Sequence, residues 1–203
     1  MGLAHIRLSL RTAMTGELGY SLPPAIRRIA TNFRISGWVS FWVQIVIGVI
    51  SLLLFLINAL DKNMSAGDNT SSVVGASLFV AIGILAVFVG AFWAFNYVRL
   101  GRKLKTSNPD TRPKPKDAIR SVRIGLMISL AGMGVTLIGA QSVVALLWLR
   151  SLRQISIGFN PTSTDAFIRA DDIAIVFSFI NTLFAHFIGL GVSLWLQYVV
   201  DRQ

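Results

Sequence analysis

Four long runs of apolar residues alternate with shorter polar and charged stretches along the chain. The runs cover about Gly37 to Leu60, Val73 to Val98, Ile124 to Leu149 and Ile173 to Val200. Each exceeds the roughly 20 residues that an α-helix needs to cross a hydrocarbon core about 30 Å thick. None contains Asp, Glu, Lys or Arg. In lipid every backbone polar group must find its partner within the protein, so runs of this length predict helices. The expected fold is an all-α integral membrane protein. Its four transmembrane helices, 37–60, 73–98, 124–149 and 173–200, form two hairpins preceded by a short interfacial amphipathic helix.

That preceding helix is expected over 23–36. Pro23 and Pro24 suit the first turn of a helix. Ile26, Ile29, Ala30 and Phe33 then share one face, with Arg27, Arg28, Thr31 and Arg34 elsewhere. Such a segment lies on the inner leaflet; the plainer alternative is an N-terminal extension of the first span. Residues 1–22 are polar and basic, and are expected to be a flexible N-terminus. They hold no apolar core of signal-peptide type. Ile6 stands where N-myristoylation needs Ser or Thr.

Composition strengthens the membrane reading. Hydrophobic residues make up 54% of the 203 and charged residues 14%, against about 25% charged in soluble domains. The mean hydropathy is +0.66. This excludes most soluble enzymes. With no cysteine there is no disulfide, thiolate metal site or thiol catalysis.

The net charge of +10 sits wholly in the connections. Residues 1–36 carry five arginines against Glu17, and 99–123 carry nine Lys and Arg against Asp110 and Asp117. The 61–72 and 150–172 connections carry one and three basic residues. Lys and Arg concentrate in cytoplasmic loops. Both termini and the 99–123 loop are therefore expected on the cytoplasmic or stromal side. Arg102, Lys103, Lys105, Arg112, Lys114 and Lys116, among prolines, make that loop extended and exposed. It suits either anionic lipid on the inner face, with each basic side chain near the surface contributing on the order of 1 kcal/mol, or an acidic partner. Nucleic acid is not expected, since the basic run lacks interleaved aromatics.

A weak internal repeat relates the hairpins. Pro24-Ala25-Ile26-Arg27 precedes the first span and Ala118-Ile119-Arg120 the third; Trp93 with Tyr97 closes the second and Trp195 with Tyr198 the fourth. Two hairpins starting on the same side would form a parallel repeat. The aromatic pairs also suit interface anchors.

Few side chains within the spans can carry chemistry. Gln44, Gln141, Asn181 and His186 lie deepest. Intramembrane amides commonly bond between helices. An ionisable residue at depth is a functional candidate, and imidazole both ligates transition metals and carries protons. His186, Asn181, Gln141 and Gln44 are thus candidate pore or metal-contacting residues, with Met133 and Met127 as soft thioether donors. Asp171 and Asp172 stand at the outer entrance of the fourth span, where they attract cations or simply favour a helix N-terminus. Gly83, Gly90, Gly125, Gly132 and Gly189 mark close helix packing, which implies a compact bundle and a homo-oligomer or larger membrane complex. No catalytic triad, carboxylate pair or phosphate loop is present, so no enzyme is expected.

Four motifs carry a family resemblance. They are Gly37-Trp38-Val39-Ser40-Phe41-Trp42-Val43-Gln44, Phe92-Trp93-Ala94-Phe95-Asn96-Tyr97-Val98-Arg99-Leu100, Gly132-Met133-Gly134 with Gly139-Ala140-Gln141, and Asn181-Thr182-Leu183-Phe184-Ala185-His186-Phe187-Ile188-Gly189-Leu190. In this order, from about residue 24 onward, the chain resembles the twenty-one-kilodalton subunit of the chloroplast inner-envelope translocon, also called the permease in chloroplasts. The resemblance is to the cyanobacterial branch, with residence in the plasma or thylakoid membrane. It implies one of two roles: permeation of iron, with no firm cofactor besides the transported ion, or a part in protein import. It places Gln44, Gln141, Asn181 and His186 on motif positions and assigns none of them a role.

Overall fold

A computed structural model describes residues 24–64, 71–106, 113, 115–157 and 170–202. They form four helices: α1 (Pro24–Met64), α2 (Ser71–Leu104), α3 (Pro115–Ile157) and α4 (Ala170–Asp201). Each contains a stretch long and apolar enough to cross a membrane. All four are longer than the apolar run that predicts them, because the helical hydrogen-bond ladder continues past the lipid boundary. The termini follow local chemistry. Pro115 opens α3 where a missing N–H costs nothing, and Asp117 stands in its first turn. Arg102 and Lys103 occupy the last turn of α2, where positive charge meets the negative end of the helix dipole. That end closes through Lys105 N–H to the Arg102 carbonyl and Thr106 N–H to the Lys103 carbonyl, both 3.1 Å.

The helices pack in the ring order α1-α2-α3-α4, and α2 and α4 also touch across the short diagonal. Two apolar clusters close the ends of the bundle. The one at the end bearing the α1–α2 and α3–α4 connections, the outer end if the basic residues face the cytoplasm, joins Val80, Ile84, Val143, Ile175 and Phe179. The inner one joins Phe33, Tyr97, Ala118, Val122 and Leu196.

The inner cluster corrects one expectation. Residues 24–36 are not a separate interfacial helix; they are the first turns of an unbroken α1. The face that was to meet lipid meets protein instead. Ala30 and Phe33 are fully buried. A Cβ on Gly101 of α2 would lie 2.8 Å from the Ala30 carbonyl and 3.2 Å from the Phe33 Cβ. Glycine there lets the two backbones touch, and that contact draws the segment onto α2. The same extension takes up most of the 99–123 loop: α2 runs to Leu104 and α3 starts at Pro115.

Candidate functional site

Between the two apolar clusters a polar stripe runs through the core, beside buried Val87, Ala91 and Ala185. On α4, Ser178, Thr182, His186, Gly189 and Ser193 recur every three or four residues, so they share one face. All five are buried. At 1.5 Å per residue this stripe runs about 22 Å along the helix, most of a hydrocarbon thickness of about 30 Å. α4 therefore turns its most polar side to the bundle axis, as physics requires of polar groups in lipid.

His186 sits in the middle and is 1% exposed. Its Nε2 lies 3.3 Å from the Gly83 carbonyl of α2. A carbonyl only accepts, so Nε2 carries the hydrogen. Two glycines shape the space. A Cβ on Gly132 would run into the imidazole ring, and one on Gly83 would come within 2.5 Å of the Thr136 hydroxyl. Thr136 and Thr182 bond back to their own helices, at the Gly132 and Ser178 carbonyls, at 2.7 and 2.8 Å.

Nearer the inner end, Gln44 of α1 reaches into the axis, 2% exposed. Its Nε2 donates to the Ser40 hydroxyl at 2.7 Å. Gly90 and Gly189 admit it: a Cβ on the first would lie 2.7 Å from Oε1, and on the second 3.0 Å from Nε2. Nearer the outer end, the Ser178 hydroxyl donates to the Ser51 carbonyl of α1 at 2.9 Å. The buried Ser51 hydroxyl has no hydrogen-bond partner among the described residues.

The remaining candidates do not join this column. Asn181 is half-buried and donates to its own helix at the Phe177 carbonyl, 2.9 Å. Met133 is half-buried, and Gln141 and Met127 face outward. Asp172 is buried at the start of α4; the Asp171 side chain lies outside the described residues. Arg102, Lys103, Lys105 and Lys116 are exposed, while Arg112 and Lys114 lie outside the described residues. Among the described residues no three His, Asp or Glu side chains come together as a metal cluster. The column offers one imidazole, one amide and several hydroxyls, most of them already bonded.

One constellation escapes sequence reasoning. Trp93 and Tyr97, expected as possible interface anchors, turn toward α3 and α4. Trp93 Nε1 donates to the Ser121 carbonyl at 2.8 Å. The Tyr97 hydroxyl meets the Ser193 hydroxyl at 3.1 Å and the Val122 carbonyl at 3.5 Å. Asn96 donates to the Ser121 hydroxyl at 3.3 Å. Gly125 is the signal that could have found this, since a Cβ there would collide with the Tyr97 hydroxyl. By contrast Trp195 and Tyr198 stay on the outer face, and the Arg202 guanidinium lies 4.5 Å from the Tyr198 ring centre.

Residues 23–201 match a family model described as protein of unknown function (DUF3611). The chain belongs to this family. It is also 30% identical to Protein TIC 21, chloroplastic, of Arabidopsis thaliana, over 84% of the chain. The chain spans 57% of that protein's length. No solved structure matches. The family match covers all four helices, so the polar column, the inner cluster and the Trp93–Tyr97 constellation all lie within it. The resemblance carried by the four motifs agrees with this relative, and the chain is a multi-pass membrane protein of that family.

Proposed function

We propose that this chain is a non-enzymatic membrane transport protein that passes iron or a related metal ion as an oligomer. The observation that supports it is the buried polar column on the bundle axis, with His186 at its centre. His186 is the one side chain in the spans that combines metal affinity with proton exchange near neutral pH. The column is closed by packing, so conduction requires the helices to part around Gly83 and Gly132, where the His186 ring is held. Both termini and the central basic connection stand on the cytoplasmic or stromal side, next to anionic lipid, in a cyanobacterial plasma or thylakoid membrane.

A second reading has its own support. The hydroxyls and amides of the column bond mostly to each other and to backbone, which is how helix-joining polar groups behave. On that reading the chain is a non-transporting subunit or assembly factor of a protein-translocation or other membrane complex.

Uptake of Fe(II) or Mn(II) by vesicles holding the purified protein separates the two. Transport predicts uptake above that of empty vesicles, with His186→Ala reduced to the empty-vesicle rate. Wild-type uptake equal to that of empty vesicles overturns transport. Stoichiometric co-purification with a larger membrane complex would then support the subunit reading.

A further inference from the structure

The four outward faces of the bundle are not built alike. On α1, α2 and α4 the exposed positions are mostly bulky, as with Trp42, Leu53, Leu85, Phe92, Phe177 and Phe184. Such faces suit fluid acyl chains. α3 also exposes bulky residues, among them Leu130, Leu137, Val144 and Trp148, but one strip of its outward side runs through Met127, Ala131, Gly134, Ile138, Gln141 and Ala145, all exposed except the half-buried Gly134. The steps are alternately four and three residues, the spacing of a helix-pairing seam. Three of these positions are Ala or Gly. A Cβ on Gly134 would meet nothing within 4 Å among the described residues, so this glycine answers to no contact among them. α2 and α4 each hold one such open glycine, Gly75 and Gly191, but Gly75 stands in the second turn of α2, and the deep amide of α4, Asn181, bonds to its own helix.

Gln141 makes the α3 face distinct. The other deep amides, Gln44 and Asn181, each have a hydrogen bond. Gln141 is exposed and has none among the described residues. It lies about 12 Å inside Leu149 along the helix, well within hydrocarbon. Acyl chains offer it neither donor nor acceptor, and an unmet amide in lipid costs several kcal/mol. An amide carries both donor and acceptor, so it is complementary to a copy of itself. Two chains inserted in the same orientation are related by a two-fold axis along the membrane normal. Such an axis brings identical residues together. The small residues let the backbones approach closely enough for the two amides to meet. Beside the seam, an apolar groove of about 330 Å³ between α2 and α3, which shares Ala131 with it, offers room for bulkier side chains.

We propose that the outward face of α3 is the surface on which two copies of this chain pair, with Gln141 opposite Gln141. This gives the oligomer of the preceding section a surface. It does not depend on what, if anything, crosses the bundle, and its test reads no transport, so the two proposals fail separately.

The chain has no cysteine, so single-cysteine variants report contacts without further engineering. Gly134→Cys, Gln141→Cys and Ala145→Cys, oxidised in membranes with copper phenanthroline, are expected to give a disulfide-linked species of twice the chain's mass. Val46→Cys on α1 and Phe184→Cys on α4 are the controls and should remain monomeric. In parallel, fluorescence transfer between labelled copies in liposomes reads the dimer constant. Gln141→Leu should weaken pairing about three- to thirtyfold, the range set by hydrogen bonds between membrane helices. Gly134→Leu, which has room within its own chain, should abolish pairing without unfolding the monomer. Equal cross-linking at the control positions, adducts only with a different protein, or dimers indifferent to both substitutions would overturn the proposal.

Discussion

Gly132 and Gly134 stand two residues apart on α3 and answer to opposite demands. Gly132 faces the axis, where a Cβ would meet the His186 ring; Gly134 faces open space. Gly132→Val should therefore destabilise the bundle by about 1–3 kcal/mol, the usual cost of overpacking a filled core. Gly134→Ala should change it little. Equilibrium unfolding of dilute protein in mixed micelles checks the pair, and equal effects would contradict the packing described. Tyr97 makes a second prediction at this scale. Tyr97→Phe removes the contacts to Ser193 and Val122 but leaves Ser193 bonded to the Gly189 carbonyl at 2.9 Å. With one partner retained, the loss should be about 1 kcal/mol. Sequence alone shows that His186 and Gln44 are deep, because depth follows from distance to the nearest charged residue. It does not show which way a side chain points. Gln141 is as deep as Gln44 yet faces outward, and only the angular position of α3 relative to its neighbours separates them.

At the scale of the helices, hydropathy locates the four spans well and their ends poorly. The reason is physical. Apolar runs record contact with lipid, whereas a helix ends where its backbone loses partners. α1 and α3 both continue through basic, water-facing turns because other helices cover one side of them. The periodicity Ile26, Ile29, Ala30, Phe33 is plain in the sequence, but a face of that kind fits a membrane surface and a neighbouring helix equally well. Gly101 decides it by letting α1 lie against α2. This assigns real tertiary stability to a segment that an interfacial helix would leave unpacked. Phe33→Ala should empty part of the inner cluster and cost about 3–5 kcal/mol, the range for burying no side chain where a phenylalanine belongs. Ile35→Ala, two residues on and 57% exposed, should cost far less. A similar small loss from both would mean that residues 24–36 lie on the membrane and not on α2.

Across the whole molecule, charge and packing divide the work. Packing fixes which helices are neighbours and leaves the bundle free to insert either way up. The charged ends break that symmetry. Arg99, Arg102, Lys103 and Lys105 at the end of α2, and Lys116, Arg120 and Arg123 at the start of α3, are all exposed at one end of the bundle. Arg34 of α1 and Arg202 beyond α4 are exposed as well, and the ring order with alternating helix direction carries them to that same end. Moving this set across a bilayer would strip each charge of water, at about 2.5–3.5 kcal/mol for a single Arg or Lys at the membrane centre, whereas the opposite end carries few such charges. The barrier is thus concentrated on one end and selects one orientation. In the cysteine-free chain, Lys105→Cys and Arg202→Cys should react with a membrane-impermeant maleimide only after bacterial spheroplasts expressing the protein are opened. Asp68→Cys, in the sequence between α1 and α2, should react in intact spheroplasts. The reverse pattern would overturn the orientation, and labelling of Lys105→Cys and Arg202→Cys from opposite sides would overturn the four-span topology itself.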